Sequence, residues 1–133
     1  MMTNARAAYM DASIATASPA RLLVMLYERL VLDVQRGLDA GRRNDLIGMH
    51  EQLTHAQDIV MELHSSLRID GFRGGKELAA LYGFLHRQLV TANVGKDIGI
   101  TSDCLVIVTD LCDTWRRAAL ESAMAATPLA QGA

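Results

Sequence analysis

The feature that most constrains this chain is a run of apolar residues between positions 46 and 67. Its members are spaced alternately three and four apart, which places them along one face of an α-helix. A stripe of this kind is typical of the seam along which the helices of a bundle pack. The pattern predicts a helix over about 45–67, with Leu53, Val60 and Leu63 buried, and the complete stripe is Leu46, Met49, Leu53, Ala56, Val60, Leu63 and Leu67.

Three further segments have helical spacing and recognisable ends. Ser18 and Pro19 suit an N-cap and a first helical position, which predicts a helix over about 19–42. A third helix is expected over about 76–94, with Gly95 as the residue that ends it, and a fourth over about 102–125. The fourth would be capped within the triplet 101–103, and Leu85 and Trp115 are expected to be buried.

These four helices predict an all-α fold, an antiparallel up-down four-helix bundle, because the loops between them are short. A chain of 133 residues suits one domain. We expect an N-terminal segment at 1–17, either a tail or a short helix packing on the bundle, then the bundle at 18–126 and a flexible tail at 127–133.

Charge and hydropathy restrict the kinds of partner and the cellular location expected for the chain. A net charge of −2 provides no basic surface for a phosphate backbone, so nucleic acid is not expected. The longest apolar run, LLVMLY, is too short for a signal peptide or a membrane span, so we expect no membrane insertion and a cytoplasmic location. Cys104 and Cys112 would lie about 12 Å apart on one helix, too far for a disulfide, and are expected to be reduced core thiols.

One polar stripe on the second helix could carry chemistry. Glu51, His55, Asp58 and Glu62 share a face, as metal ligands would. The di-iron bundle signature Glu-x-x-His is absent, and no histidine is followed three positions later by the lysine of a phosphotransfer motif. A solvated face is the favoured interpretation, with no metal, no cofactor and no catalytic residue; a metal-binding or phosphorelay bundle is the alternative.

The first helix has more apolar residues than one core-facing side can use. Eight of the ten residues from Leu22 to Val31 are apolar, whereas a bundle helix needs about three per heptad. The surplus can reflect a central place in the bundle, an exposed groove for an apolar peptide, or the contact of a homodimer.

Several motifs resemble one known family. They are TASPARLLVMLYERL at 16–30, AQDIVMELHSSL at 56–67, LYGFLHRQLVTAN at 81–93, and Trp115 in the fourth helix. Together with Tyr9 they make the chain similar to the flagellar secretion chaperones, the FliS family, over about residues 5–120. The resemblance implies a cytosolic four-helix bundle, not an enzyme, that binds the disordered C-terminal segment of flagellin. Such a protein prevents premature polymerisation and delivers flagellin to the flagellar export gate.

The resemblance and the apolar surplus together suggest where flagellin docks. The candidates are docking residues or supports of the docking groove: Tyr9, Ile14, Leu23, Met25, Leu26, Tyr27, Tyr82 and Asn93. In the resembling family the N-terminal segment can lie over part of the groove. The chain departs from the family pattern at Glu28 and Arg29, which follow the first LY, and at Glu77.

Overall fold

The computed structural model describes residues 18–71 and 73–131. Its regular elements are helical throughout this part of the chain: α1 (Pro19–Arg42), α2 (Leu46–Ser66), a 3₁₀ turn (Ile69–Gly71), α3 (Gly75–Gly95) and α4 (Ile98–Gln131). The predicted all-α class is confirmed.

The four helices pack side by side as a bundle. α1 packs against α2 and α4, and α3 packs against the same two helices, so α1 and α3 lie diagonally across the core. The short loops make neighbouring helices antiparallel, which gives the up-down order expected from the sequence. One end of the bundle therefore gathers the start of α1, the end of α2 and the start of α3.

The first three helices begin and end within one residue of the predicted positions. Ser18 Oγ accepts a hydrogen bond from the backbone N–H of Arg21 at 3.1 Å, and Asp45 Oδ1 accepts one from that of Gly48 at 3.0 Å. Both are N-cap bonds that satisfy donors left free at a helix start.

The predicted start of the fourth helix was wrong. α4 begins at Ile98, and its cap is Asp97, whose Oδ1 accepts from the backbone N–H of Ile100 at 2.9 Å. Gly95 is the last residue of α3, and the left-handed residue that ends that helix is Lys96, with φ of 50°. At its other end α4 continues to Gln131, so helical backbone extends into the segment expected to be a tail.

The core is built from the predicted seam. Leu53, Val60, Leu63 and Leu85 are buried, as expected, and the free thiols Cys104 and Cys112 are buried with them. Trp115 was predicted to be buried but is only partly so, because it packs on the edge of the core rather than within it.

Candidate binding cleft

A small apolar cleft opens where α1 begins, α2 ends and α3 begins. Its volume is about 180 Å³, and most of its lining is aliphatic or aromatic. Apolar side chains that remain reachable from solvent favour contact with other apolar groups. The lining residues are Leu23, Leu26, Leu63, Ser66, Leu67, Arg68, Leu78, Tyr82 and Trp115.

The cleft follows from where the helices end. The seam of α2 continues to Leu67, whose extended backbone (φ −71°, ψ 125°) ends the helix. Leu78 is the first seam residue of α3, and Leu23 lies in the second turn of α1. All three leucines belong to the apolar faces that form the core, but each lies near a helix end, where no further helical turn covers its side chain.

A buried pair of tyrosines lies beside the cleft. The hydroxyl groups of Tyr27 and Tyr82 share a hydrogen bond that joins α1 to α3 across the core. Burial raises the pKa of both phenols above the ordinary value, so both stay neutral and keep the bond. The rings of Tyr27 and Trp115 stack at 6.2 Å, which connects the pair to the cleft wall.

Only some of the eight candidate docking residues lie at the cleft. Leu23, Leu26 and Tyr82 line the cleft, and Tyr27 supports it from within the core. Tyr27 and Tyr82 are 0% and 2% exposed. Such burial suits a residue that supports the groove better than one that contacts the client directly. Tyr9 and Ile14 lie outside the described residues.

Met25 and Asn93 lie away from the cleft. Met25 is partly buried on α1 and is not part of the lining. Asn93 lies near the other end of α3, where its Nδ2 is 3.1 Å from Nδ1 of His50. Lys96 Nζ donates to Asn93 Oδ1 at 2.7 Å, so the Asn93 amide links α3 to α2 and to the following loop.

Sequence reasoning missed two parts of this surface. Leu67 was assigned to the seam and Leu78 was not singled out, although their positions near helix ends could have indicated the cleft. A wider trough of about 300 Å³ lies between the start of α1 and the later half of α4, and includes Val24 and Leu120. We take the smaller cleft as the candidate site because it contains three of the predicted residues and is lined mainly by large apolar side chains, whereas the trough is lined mainly by alanines and polar residues.

The polar stripe on α2 faces solvent, as expected. Glu51, His55, Asp58 and Glu62 are all exposed, and within residues 18–71 and 73–131 no three histidine, cysteine or acidic side chains could hold a metal ion together. His55 has a structural partner, because its Nδ1 bonds to the buried carboxylate of Asp33 on α1.

Asp33 is stabilised within the bundle by a second partner. Its Oδ1 accepts from Arg29 Nε at 3.1 Å, so both carboxylate oxygens are bonded although the side chain is 0% exposed. A buried carboxylate without such partners would be costly. His55 therefore ties α2 to α1.

The thiols are poorly suited to act as nucleophiles. Burial, with a contribution from Asp103, raises the pKa of Cys104 to about 11, and burial also raises the pKa of Cys112. A raised pKa keeps a thiol protonated near neutral pH, whereas the thiolate is the reactive form. Their role in the described structure is packing.

The fold and the cleft define a class of protein: all-helical bundles that expose an apolar cleft at one end. Within the described residues, none of the helices is both long and apolar enough to cross a membrane. Comparison with known proteins identifies a family within this class. Residues 2–122 match the family described as flagellar protein FliS, and the chain belongs to that family.

Individual relatives agree with this assignment. The flagellar secretion chaperone FliS of Bacillus subtilis is 31% identical over 115 residues, which cover 86% of each chain. The Vibrio cholerae protein of the same name is 28% identical over 79% of this chain and 78% of its own. In fold, the chain resembles a solved bacterial flagellar chaperone with a TM-score of 0.70 at 24% identity, covering 92% of this chain and 99% of that one.

Proposed function

We propose that this protein binds the C-terminal segment of flagellin in the bacterial cytosol and that the apolar cleft receives part of it. The observation that supports the proposal most directly is the cleft itself, an apolar cavity left open to solvent in a bundle whose family consists of flagellar chaperones. Burying exposed apolar surface against a client is favourable by about 25 cal/mol per Å².

The binding step requires no chemistry from the protein. A disordered, apolar client segment can order on the cleft and on the neighbouring surface, and this would keep it from pairing with other flagellin copies. Release at the flagellar export gate would then free the segment for assembly. The protein acts in this proposal as a chaperone and not as an enzyme, without a metal or cofactor.

Trp115 offers a direct measurement. It is the single tryptophan of the chain and it lines the cleft, so its fluorescence should change when the client fills the site. Titration with a flagellin C-terminal peptide, followed by fluorescence and by calorimetry, should give a saturable signal with the same midpoint by both methods.

Substitutions in the cleft should weaken this binding. Leu23→Gln and Leu78→Gln keep the approximate side-chain size but place a polar group on the lining, and we expect each to lower affinity by about tenfold. Val106→Gln is the matched control, because Val106 is 60% exposed on α4 and lies outside the cleft. Thermal unfolding of all three variants would confirm that they remain folded.

Two results would count against the proposal. A wild-type protein that binds no flagellin peptide would refute the function. Normal binding by both cleft variants would leave the function standing but place the client elsewhere, and Leu120→Gln would then test the trough between α1 and α4.

A further inference from the structure

The polar side chains that line the apolar cleft differ in whether the protein itself already bonds to them. The lining contains four such residues: Ser66, Arg68, Tyr82 and Trp115. Ser66 Oγ donates to the carbonyl oxygen of Glu62 at 2.7 Å. The side chains of Tyr82 and Trp115 are both hydrogen-bonded to Tyr27. Arg68 differs from these three, because its guanidinium has no hydrogen-bond or ion-pair partner among the described residues.

Arg68 is also the source of charge at the cleft. Among the described residues that line it, Arg68 is the only charged one, and its exposure places the positive charge at the mouth. Arg21 and Arg116, on the neighbouring surface of α1 and α4, both pair with Glu28. Other exposed charges of the chain lack a partner as well, but their side chains do not line this cleft. The cleft is thus an apolar cavity with one available cation.

The backbone of Arg68 is held in place although its side chain is exposed. Its carbonyl oxygen accepts a hydrogen bond from the N–H of Gly71 at 3.0 Å, which closes the 3₁₀ turn Ile69–Gly71. Gly71 also lies close to the side chain, since a Cβ atom added at Gly71 would be 3.3 Å from Cβ of Arg68. Only the outer part of the arginine side chain therefore has to be ordered when a partner binds.

The size of the cleft determines which part of a bound segment reaches Arg68. A protein cavity of about 150 Å³ can hold a benzene molecule. The cleft, at about 180 Å³, therefore has room for one large apolar side chain. The residues that flank this side chain must lie outside the cavity, across its mouth, where Arg68 is exposed.

The residue that covers Arg68 affects the binding free energy through its charge. An apolar residue there would remove water from the guanidinium without replacing its hydrogen bonds, which is unfavourable. A lysine or arginine would be repelled. A carboxylate can accept two parallel, charge-assisted hydrogen bonds from a guanidinium, so it compensates for the lost water.

We propose that Arg68 is a specificity-determining residue of the cleft and pairs with an aspartate or glutamate side chain of the flagellin segment. This acidic residue lies close in the flagellin sequence to the apolar side chain that fills the cavity. The inference rests on the proposed function and adds to it the chemical class of the segment, an apolar anchor beside a carboxylate. Arg68 also disfavours segments that present a basic residue at the same place.

Calorimetry with the full chain and a flagellin C-terminal peptide tests the role of Arg68. Arg68→Met removes the charge and keeps an unbranched side chain, and we expect it to weaken binding by about tenfold. Arg68→Lys should weaken binding less, because it keeps the charge. Arg73→Met is the matched control: it removes the same charge from an exposed position in the same loop but outside the lining, and should leave affinity unchanged.

Changes in the peptide identify the partner of Arg68. The peptide carries an amidated C-terminus, and each of its acidic residues is replaced in turn by the corresponding amide. One replacement should weaken binding to wild type by about tenfold and have little effect on Arg68→Met, because that variant has already lost the pair. Replacing the same acidic residue by lysine should improve binding to Arg68→Glu, in which the two charges are exchanged.

The outcomes separate this inference from the function on which it rests. A wild-type chain that binds no peptide would refute both. Binding by wild type together with normal affinity of Arg68→Met, or an equal loss from Arg73→Met, would leave the function intact and exclude a specific role for Arg68. Amide replacements that act alike on wild type and Arg68→Met, or a lysine peptide that binds Arg68→Glu no better than the original peptide does, would exclude the direct pair.

A comparison of peptide ends distinguishes the two sources of a carboxylate. A peptide with a free C-terminus that binds wild type about tenfold more tightly than the amidated peptide, but gains nothing with Arg68→Met, would assign Arg68 to the chain end and overturn the assignment to a side chain. Equal binding of the two peptides is the expected result. Because Arg68 and Arg73 are exposed, none of the substitutions should unfold the bundle.

Discussion

The two buried tyrosines show how single side chains link distant parts of the bundle. Tyr27 and Tyr82 belong to diagonal helices, and their hydroxyl groups share a hydrogen bond although both side chains are almost completely buried. A buried hydroxyl that loses its partner costs more than the bond itself contributes, because its desolvation is no longer compensated. The pair therefore couples the positions of α1 and α3 beside the cleft.

We expect the loss of one hydroxyl to lower the free energy of unfolding more, per hydroxyl removed, than the loss of both. Tyr82→Phe should lower the free energy of unfolding by about 1 to 3 kcal/mol, since it leaves the Tyr27 hydroxyl without this partner. The double variant Tyr27→Phe, Tyr82→Phe should cost less than the sum of the two single changes. Urea denaturation of the four proteins measures this coupling, and additive effects would mean that the hydroxyl bond contributes nothing.

At the scale of helices, several polar residues near the start of α4 could serve as its N-cap. The chain offers Asp97, Thr101, Ser102 and Asp103 within seven positions. Thr101 is 0% exposed and its Oγ1 donates to the Asp97 carbonyl at 2.7 Å, so it already lies within the first turn of the helix. The cap must therefore precede it.

Asp97→Ala should remove the cap bond to Ile100 and lower the free energy of unfolding by about 0.5 to 2 kcal/mol. Asp103→Ala is the matched control, because Asp103 is exposed within α4 and its removal should cost less than about 0.5 kcal/mol. Chemical denaturation gives both values. An equal or larger loss from Asp103→Ala would favour the helix start expected from the sequence.

At the scale of the whole molecule, the core contains weakly acidic groups whose neutral forms the fold favours. Cys104, Cys112, Tyr27 and Tyr82 are all buried, and burial raises the pKa of each above its ordinary value. They come from α1, α3 and α4, so folding of three of the four helices favours the neutral forms of these groups. Stability is consequently linked to alkaline pH.

Stability should be unaffected by these groups below pH 9 and should fall as the pH rises above it. Between the ordinary thiol value of 9.0 and the folded value of about 11, Cys104 ionises in the unfolded chain first. The unfolded state then binds fewer protons, and the free energy of unfolding decreases by at most about 1.4 kcal/mol per pH unit for one group.

Urea denaturation at a series of pH values measures the slope. Cys104→Ala should be less stable at neutral pH, because it removes packed volume, but its loss of stability between pH 9 and pH 11 should be smaller than that of wild type. Identical slopes for the two proteins would show that Cys104 ionises alike in the folded and unfolded states.

The sequence alone determined the number of helices, the ends of the first three and most of the core. These follow from local physics: a three-and-four repeat defines a helical face within one segment, and Ser18 and Asp45 cap helices through residues three positions away. The tertiary structure decided which members of the crowded run in α1 are buried. Val24, Tyr27 and Leu30 face the core, while Met25 is only partly covered.

The cleft also depended on tertiary structure. Leu67, Leu78 and Trp115 follow the same apolar pattern as fully buried residues, and nothing within their own helices separates the two groups. Their exposure depends on where the neighbouring helices end, because a core-type side chain is covered only if a turn of another helix lies opposite it. That condition joins residues far apart in the chain, so only the assembled bundle could decide it.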